Sequence, residues 1–176
     1  MKMIIRKARQ EDIDSVAAIY RLIHEEERAE RYHIGWNPDI YPVRNTAQEA
    51  FGRDELFVCE AEGRIVASAI INSRQEDCYR EGDWSQGVTD SEVLVLHTLT
   101  VDPREAKSGI GRKFVAFYED YARSNGYRSL RLDTQTVNTA ARRLYPRLGY
   151  REAGIVKTDF HGLRAISLVL FEKMLS

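Results

Sequence analysis

A glycine-containing turn with basic neighbours follows an apolar segment in the middle of the chain. Residues 107–112 read Lys-Ser-Gly-Ile-Gly-Arg, and they come after the mostly apolar residues 92–101 and a break at Asp102-Pro103. Glycines let a backbone approach a ligand closely, and a helix N-terminus carries partial positive charge. The spacing therefore predicts a phosphate or pyrophosphate site at the start of a helix. A helix start that binds no ligand is the other interpretation of this segment taken alone.

Two other kinds of phosphate loop do not fit these residues. The dinucleotide pattern needs a third glycine, and Phe114 stands in its place. The P-loop of nucleoside triphosphatases needs Gly-Lys followed by Ser or Thr, a run that this sequence lacks. A phosphate-binding α/β protein for some other nucleotide stays open as an alternative.

A second group of residues, in a later predicted helix, could supply a proton. Asn138 can cap this helix, and Tyr145 lies two turns along it on about the same face as Ala141. A phenol has a donor proton with a pKa of about 10, so it can protonate a leaving thiolate. Pro146 removes one backbone hydrogen bond and predicts a local distortion. Packing of Tyr145 in the core is the alternative for this residue considered alone.

Together the two segments resemble the GNAT superfamily of N-acetyltransferases. The family's acetyl-CoA loop has the form Gln/Arg-x-x-Gly-x-Gly/Ala before a helix, and Gly109 and Gly111 fit it. Its later helix commonly reads Asn-x-x-Ala-x-x-x-Tyr-x-x-x-Gly-Tyr/Phe, which residues 138–150 match at every named position. The order of predicted strands and helices also matches, so the resemblance covers nearly the whole chain.

The resemblance implies a fold and a reaction. The fold would be a single α/β domain over residues 1–176, with a mixed, mostly antiparallel sheet, a β-α-β core that binds acetyl-CoA, and flanking helices. Acetyl-CoA would be the co-substrate. Its acetyl group would move to a primary amine of a small molecule or peptide, by direct attack in a ternary complex.

It also implies roles for particular residues. The backbone of residues 99–101 would pair with the pantetheine arm, and the N–H groups of residues 107–112 would hold the pyrophosphate. Asn138 would contact the CoA arm, and Tyr145 would be the general acid toward the departing thiolate. The residues assigned to the co-substrate are Leu99, Thr100, Val101, Lys107, Ser108, Gly109, Ile110, Gly111, Arg112, Asn138, Ala141 and Tyr145.

One position departs from the family's pattern. Ala106 stands where Gln or Arg is usual. That position mainly donates its backbone N–H, but the missing side chain predicts weaker pyrophosphate binding unless Lys107 or Arg104 compensates. The same departure favours a second hypothesis, a GNAT-like module that binds acyl-CoA without turnover.

The reaction also needs a proton acceptor, because a typical primary amine is protonated near neutral pH and attacks only when neutral. His97 lies two residues before Leu99 on a predicted strand, and an imidazole titrates in the useful range. We assign His97 to catalysis with Tyr145. Glu92, near the start of the same strand, is a second candidate, and a packed histidine is the common alternative.

Two further sets of side chains keep two interpretations each. The loop aromatics either border the acceptor pocket or pack in the core. The basic run either contacts the 3′-phosphate of CoA or forms a solvated helix face. The aromatics are Trp36, Tyr41, Tyr79 and Trp84, and the basic residues are Arg142, Arg143, Arg147 and Arg151.

The elements that must position these residues alternate between strand and helix periodicity. Predicted strands cover residues 3–8, 56–61, 64–72, 92–101, 128–134, 150–158 and 164–171, and predicted helices cover 11–31, 47–53, 109–125 and 138–148. The unit from residue 92 to 133 predicts a right-handed crossover between parallel strands. Residues 73–91 are polar and fit no element.

Composition narrows the class of protein. The 176 residues are 43% hydrophobic and 30% charged, which is typical of one soluble domain. A net charge of −1 predicts no nucleic-acid or membrane partner. Cys59 and Cys78 form no metal-binding motif and are too few for a disulfide framework, so we expect both thiols to be reduced. Residues 1–6 do not predict a leader and no run is long and apolar enough to predict a membrane span, so we expect a cytoplasmic protein. A homodimer through the last strand, residues 164–171, is a further expectation.

Overall fold

The computed structural model describes residues 2–176, which form seven β-strands and four α-helices. The strands are β1 (Met3–Lys7), β2 (Leu56–Ala61), β3 (Arg64–Asn72), β4 (Val93–Val101), β5 (Ser129–Gln135), β6 (Arg151–Phe160) and β7 (Leu163–Met174). The helices are α1 (Ile13–Arg28), α2 (Arg44–Gly52), α3 (Ile110–Ser124) and α4 (Thr139–Arg147). Every strand and helix predicted from the sequence is therefore present. The ends of β2 and β3 are as predicted, and those of the other elements are shifted.

The strands form one mixed sheet in the order β1-β2-β3-β4-β5-β7-β6. Neighbours β1 and β2, β2 and β3, β5 and β7, and β6 and β7 are antiparallel. The pair β4 and β5 is parallel, with Val93 opposite Ser129 and Leu96 opposite Leu132. The predicted fold class, a mostly antiparallel α/β sheet with a β-α-β core, is confirmed.

The last strand is not an edge of this sheet. β7 pairs with β5 on one side, where Leu132 faces Phe171, and with β6 on the other, where Val156 faces Leu168. The expectation that residues 164–171 offer a free edge for a homodimer is therefore wrong. The edge position next to β7 belongs to β6.

The chain forms two compact units that interleave along the sequence. Unit 1 contains the residues up to Tyr32, Trp36–Ile71 and His97–Tyr118. In this unit α1 and α2 pack on one face of β2 and β3. That core consists of Ile13, Val16, Tyr20, Ala47, Ala50, Leu56, Val58 and Ile70. Phe57 points to the opposite face of β2 and packs on Phe117 of α3, with ring centroids 5.8 Å apart.

Unit 2 contains His33–Gly35, Asn72–Leu96 and Glu119–Ser176. Its core joins the sheet residues to part of the segment 73–91. The buried members are Cys78, Tyr79, Val93, Val95, Ala153, Val156, Leu168 and Leu170. The segment 73–91 is thus packed structure, with short 3-10 turns at Asp77–Glu81 and Asp90–Glu92.

Two helix starts differ from their predictions by more than one residue, because side-chain oxygens satisfy the first N–H groups differently. A 3-10 turn, Gln10–Asp12, precedes α1, and the Asp12 carboxylate accepts from the Arg9 N–H at 2.7 Å. Helix α2 begins three residues before the predicted Ala47. Thr46 lies inside its first turn, where the Thr46 Oγ1 accepts from the Val43 N–H at 3.0 Å. Within residues 2–176, no helix combines the length and apolar character that crossing a bilayer requires.

Candidate active site

The predicted anion site in unit 1 begins where β4 ends. The Asp102 N–H donates to the Val66 carbonyl at 2.8 Å, and its buried carboxylate accepts from the Arg104 N–H at 2.9 Å. The Arg104 guanidinium donates to the same carboxylate and holds the pKa of Asp102 below its usual value. Arg104 therefore fixes the turn Pro103–Glu105, which leaves Lys107 as the better candidate to offset Ala106.

The turn itself uses two N–H groups that the sequence assigns to the ligand. Ala106 donates to the Pro103 carbonyl at 3.1 Å, and Ser108 donates to the Glu105 carbonyl at 3.2 Å. The Ser108 hydroxyl also donates to the Glu105 carbonyl, at 2.6 Å. The expectation that every N–H from Lys107 to Arg112 faces a phosphate is thus too broad, because Ser108 stabilises the loop.

The N-terminus of α3 supplies the remaining donors. The Lys113 N–H makes the first helical hydrogen bond, to the Gly109 carbonyl at 3.0 Å. Helix geometry leaves the N–H groups of residues 110–112 without carbonyl partners inside the helix. Gly109 has φ +82°, which glycine adopts readily, whereas a Cβ built on Gly111 would lie 3.7 Å from Val101 Cγ2. This arrangement fits a pyrophosphate group of acetyl-CoA.

The second half of β4 is distorted. Thr98 has φ +50°, in the left-handed region that β-branched residues avoid, and its hydroxyl contacts the Tyr41 hydroxyl. His97 precedes this distortion and is partly exposed, as are Leu99 and Val101. Residues 97–101 therefore present backbone groups at a strained, accessible stretch of strand.

Thr100 has a different environment from its neighbours in β4. Its side chain is buried and its Oγ1 lies 2.8 Å from the Ser68 Oγ. Thr100 can consequently offer a ligand only its backbone.

Helix α4 in unit 2 carries the predicted proton donor. The Asn138 Oδ1 accepts from the Ala141 N–H at 3.1 Å, so Asn138 is the N-cap that the sequence predicts. Tyr145 is 7% exposed, and its ring centroid lies 5.6 Å from the ring centroids of Tyr150 and Phe171. Burial, with the nearby negative charge of Asp133, raises the pKa of Tyr145 well above its usual value. Its phenol therefore stays protonated at neutral pH and can act as an acid.

The C-terminal end of α4 is tied down by Lys173. The Lys173 ammonium donates to the Leu148 carbonyl at 2.8 Å and to both carboxylate oxygens of Glu119 at 2.9 Å. The Tyr150 hydroxyl donates to the same Glu119 carboxylate at 3.2 Å. A cation at the end of a helix is favourable, so these contacts fix the turn that follows Tyr145.

Glu92 has a structural role. One of its carboxylate oxygens accepts from the Thr89 N–H at 2.9 Å, and the other accepts from Arg128 at 3.0 Å. The backbone bond from Thr89 and the Arg128 contact lower the pKa of Glu92. A carboxylate with a lowered pKa is a poor proton acceptor, so the structure argues against Glu92 as the base.

The loop aromatics are packed. Trp36 lies against Tyr41 with ring centroids 6.1 Å apart and against His24 at 6.4 Å. Tyr79 and Trp84 pack together at 5.4 Å. Of the two interpretations left open for these residues, core packing is the one that the contacts support.

The basic run is partly neutralised. Arg142 lies 3.3 Å from a carboxylate oxygen of Glu152, and Arg151 lies 2.7 Å from one of the buried Glu172. Arg143 and Arg147 are exposed on α4. Contact with a 3′-phosphate stays a prediction for the two exposed arginines only.

Sequence reasoning missed one polar pair, Tyr79 and Asp133. The Tyr79 hydroxyl donates to the Asp133 Oδ2 at 2.7 Å. Burial raises the pKa of Asp133 to about 6, the charge of Glu76 adds to this, and the Tyr79 hydrogen bond opposes it. The alternation of β5 predicts that Asp133 faces away from Leu132, but nothing local indicates a partner in the segment 73–91.

A buried ionic network anchors that segment to the sheet. Arg131 lies over the Trp84 ring at 4.2 Å and donates to Gln75 at 2.6 Å. Glu172 accepts from the Ser85 N–H at 3.0 Å and from the Ser129 hydroxyl at 2.8 Å. These contacts hold the backbone that carries Tyr79.

Comparison with known proteins identifies relatives of this arrangement. A family model described as the acetyltransferase (GNAT) family matches residues 16–150. An uncharacterized N-acetyltransferase of Methanocaldococcus jannaschii is 28% identical over 159 residues, which are 87% of this chain and 62% of the relative. The N-acetylaspartate synthetase of Xenopus tropicalis is 25% identical over 119 residues, 68% of this chain and 38% of that protein. The chain thus spans less than two thirds of the length of these curated relatives.

Solved structures share the fold. An N-acetyltransferase from Staphylococcus aureus Mu50 superposes with a TM-score of 0.70 at 20% identity, with 100% of both chains covered. The ribosomal-protein-S18-alanine N-acetyltransferase of Escherichia coli gives 0.70 at 18% identity, with 99% and 95% covered. Salmonella typhimurium yncA, solved with its cofactor acetyl-CoA, gives 0.67 at 21% identity, with 100% and 95% covered.

Proposed function

The chain belongs to the acetyltransferase (GNAT) family, with acetyl-CoA as co-substrate, and we propose that it moves the acetyl group to a primary amine of a small molecule or peptide. The observation that carries this proposal is Tyr145, a buried phenol with a raised pKa on a helix capped by Asn138. A protein that only binds acyl-CoA has no need of such a proton donor.

The start of α3 binds the co-substrate in this proposal. The N–H groups of residues 110–112 and the Lys107 ammonium face the pyrophosphate, because a helix N-terminus favours an anion. The backbone of Leu99 and Val101 pairs with the pantetheine arm as an added strand would. Thr98 supports this role, since its φ of +50° distorts β4 immediately before those residues.

The chemistry is a direct transfer. The neutral amine nitrogen attacks the thioester carbonyl carbon, the carbon–sulfur bond breaks, and the thiolate takes the proton of the Tyr145 hydroxyl. The proton lost by the amine goes to a base. His97, partly exposed beside the distorted part of β4, is one candidate for that base, directly or through water.

An amine panel tests the proposal. The protein is incubated with acetyl-CoA and one of four amines, and the release of CoA thiol is measured. The amines are L-aspartate, lysine, spermidine and a peptide whose first residue is alanine. The aspartate and the peptide come from the names of relatives, the N-acetylaspartate synthetase and the S18-alanine acetyltransferase. Amine-dependent thiol release that falls in Tyr145→Phe supports the proposal, and Tyr127→Phe is the matched control because that tyrosine contacts Ser73 outside the proposed site.

A catalytically silent acyl-CoA binder is the second candidate. Ala106 favours it, because the side chain usual at that position in the family is missing. Thermal stabilisation by acetyl-CoA without thiol release for any amine would support the binder. Stabilisation by ATP or NAD instead of acetyl-CoA would point to a different phosphate-binding protein.

A further inference from the structure

Asp133 occupies an unusual position for a carboxylate. It lies on β5 directly opposite Leu170, on the face that packs against Cys78 and Tyr79, and it is partly exposed. Its Oδ2 accepts the Tyr79 hydroxyl at 2.7 Å. One carboxylate oxygen is thus held in place by a neutral donor.

Among residues 2–176, the ionisable groups whose interaction with Asp133 is resolved are acids, phenols and a thiol. They are Tyr79 and Cys78 from the segment 73–91, Glu76 from the same segment, and Tyr145 from α4. The nearest arginine on β5, Arg131, is engaged with Trp84, Gln75 and Glu172. Burial and the charge of Glu76 disfavour the ionised carboxylate, and the Tyr79 hydrogen bond only partly offsets them. Asp133 therefore accepts a proton more readily than an ordinary aspartate does.

We propose that Asp133 is the catalytic residue that accepts the proton of the attacking amine, and that Tyr79 is the positioning residue that holds its carboxylate. This inference rests on the proposed acetyl transfer. The acceptor arrives as an ammonium ion, one N–H proton passes to Asp133, and the neutral nitrogen attacks the thioester. Tyr145 then gives its proton to the thiolate. The nitrogen loses a second N–H proton as the amide forms, and this proton returns to the Tyr145 oxygen. Asp133 releases its own proton to water, so the cycle closes with no added reagent.

The charge relation between Asp133 and Tyr145 sets an order for these transfers. While Asp133 is ionised, its charge raises the pKa of Tyr145 and keeps the phenol protonated. Once Asp133 has taken the amine proton, that repulsion disappears and the phenol becomes a stronger acid. The acid is therefore strengthened at the stage where the thiolate leaves.

The acceptor class follows from the same charges. The charge of Glu76 disfavours ionisation of Asp133. A primary ammonium ion entering beside them relieves this repulsion, whereas a carboxylate next to the reacting amine adds to it. Among the panel amines, we expect spermidine to exceed L-aspartate in kcat/KM.

The test is a comparison of variants with acetyl-CoA and the best amine of the panel. Asp133→Asn is expected to lower kcat by about 100-fold or more, the usual contribution of a general base. It should also remove the acidic limb of the pH profile of kcat/KM, whose midpoint is expected at about 6. Asp133→Glu should recover part of the rate. Stabilisation by acetyl-CoA should persist in each variant, and Asp120→Asn, an exposed pair with Arg123 on α3, is the control.

Tyr79→Phe keeps the ring in the core and removes the hydrogen bond to Asp133. Because that bond lowers the pKa of Asp133, its loss should move the acidic limb to higher pH. Carbon-13 NMR of the Asp133 carboxyl should show the same upward shift in the free protein. A role in packing alone would change neither the limb nor the NMR titration.

Three results would overturn the inference. If Asp133→Asn keeps a rate close to wild type and an intact acidic limb, Asp133 is not the proton acceptor. If the acidic limb disappears in His97→Ala instead, His97 has that role. Loss of acetyl-CoA stabilisation in Asp133→Asn would assign the residue to co-substrate binding. Wild-type protein without thiol release for any amine would overturn the proposed function and this inference together.

Discussion

The Arg131 guanidinium lies 4.2 Å from the centre of the Trp84 ring, and this contact joins β5 to the segment 73–91. The Trp84 Nε1 also donates to the Tyr79 carbonyl at 2.5 Å. Trp84 therefore connects Arg131 of β5 with the backbone of Tyr79. The hydroxyl of Tyr79 in turn binds Asp133, two positions after Arg131.

Trp84→Ala should destabilise the protein by about 2 kcal/mol or more, because it removes a half-buried ring, a cation–π contact and a hydrogen bond. Trp84→Phe keeps most of the ring packing and should cost about 1 kcal/mol. Urea unfolding measures both. Equal losses for the two variants would show that the ring contributes little beyond its N–H donor.

The two glycines of the anion site should respond differently to alanine. Gly109→Ala forces a side chain into φ +82° and should lower the free energy of unfolding by about 1 kcal/mol or more. Gly111→Ala places a methyl group at ordinary contact distance from Val101, so stability should be unchanged or slightly higher.

Measuring acetyl-CoA affinity distinguishes an effect of these substitutions on ligand binding from an effect on the stability of the fold. In Gly111→Ala the new methyl group stands at the helix start where a phosphate would approach, so binding measured by calorimetry should weaken although the fold is intact. Unchanged affinity in Gly111→Ala would place the pyrophosphate elsewhere.

The protonation of Tyr145 should persist in alkaline solution. Burial and the charge of Asp133 raise the pKa of Tyr145, so its phenol should not ionise up to about pH 10, where an exposed tyrosine is half ionised. The rise in tyrosinate absorbance up to that pH should therefore be the same in wild type and in Tyr145→Phe. A smaller rise in the variant would show that Tyr145 titrates normally.

At neutral pH, where Asp133 is ionised, wild type should be less stable than Asp133→Asn. In acid, where Asp133 is protonated, this difference should disappear. The pKa of Asp133 is raised from 3.8 to about 6, so folding disfavours the ionised form. Raising the pKa of Asp133 from 3.8 to about 6 lowers the free energy of unfolding by about 3 kcal/mol. This destabilisation is complete above pH 6 and disappears below pH 4. Asp133→Asn should consequently be the more stable protein at about pH 8 and lose that advantage at about pH 4. Guanidinium unfolding at the two pH values measures the difference.

Local patterns were sufficient to predict much of this molecule from the sequence. The hairpin of β2 and β3 has the predicted ends, because two mostly apolar runs meet a turn in which Glu62 and Gly63 both take positive φ. Asn138 caps α4 as predicted, since the cap and the N–H that it satisfies are three residues apart. In both cases the determining contacts lie within a few residues.

The remainder depends on contacts between distant residues. Tyr79 and Asp133 are 54 residues apart, and neither the polar composition of the segment 73–91 nor the alternation of β5 indicates that they meet. The edge assignment of β7 failed for the same reason, because sequence order does not reveal that the final strand enters between β5 and β6. The sequence likewise does not indicate that Arg104 pairs with the buried Asp102 carboxylate, a contact that makes Arg104 less available to a phosphate.

The position of β7 between β5 and β6 has a consequence for synthesis on the ribosome. β5 emerges before α4, β6 and β7, yet one of its two neighbours in the sheet is β7. A nascent chain halted before Leu163 therefore exposes one side of β5 as an unpaired edge, the kind of surface on which strands of other chains can add. Such stalled chains should depend on chaperones far more than the completed protein does.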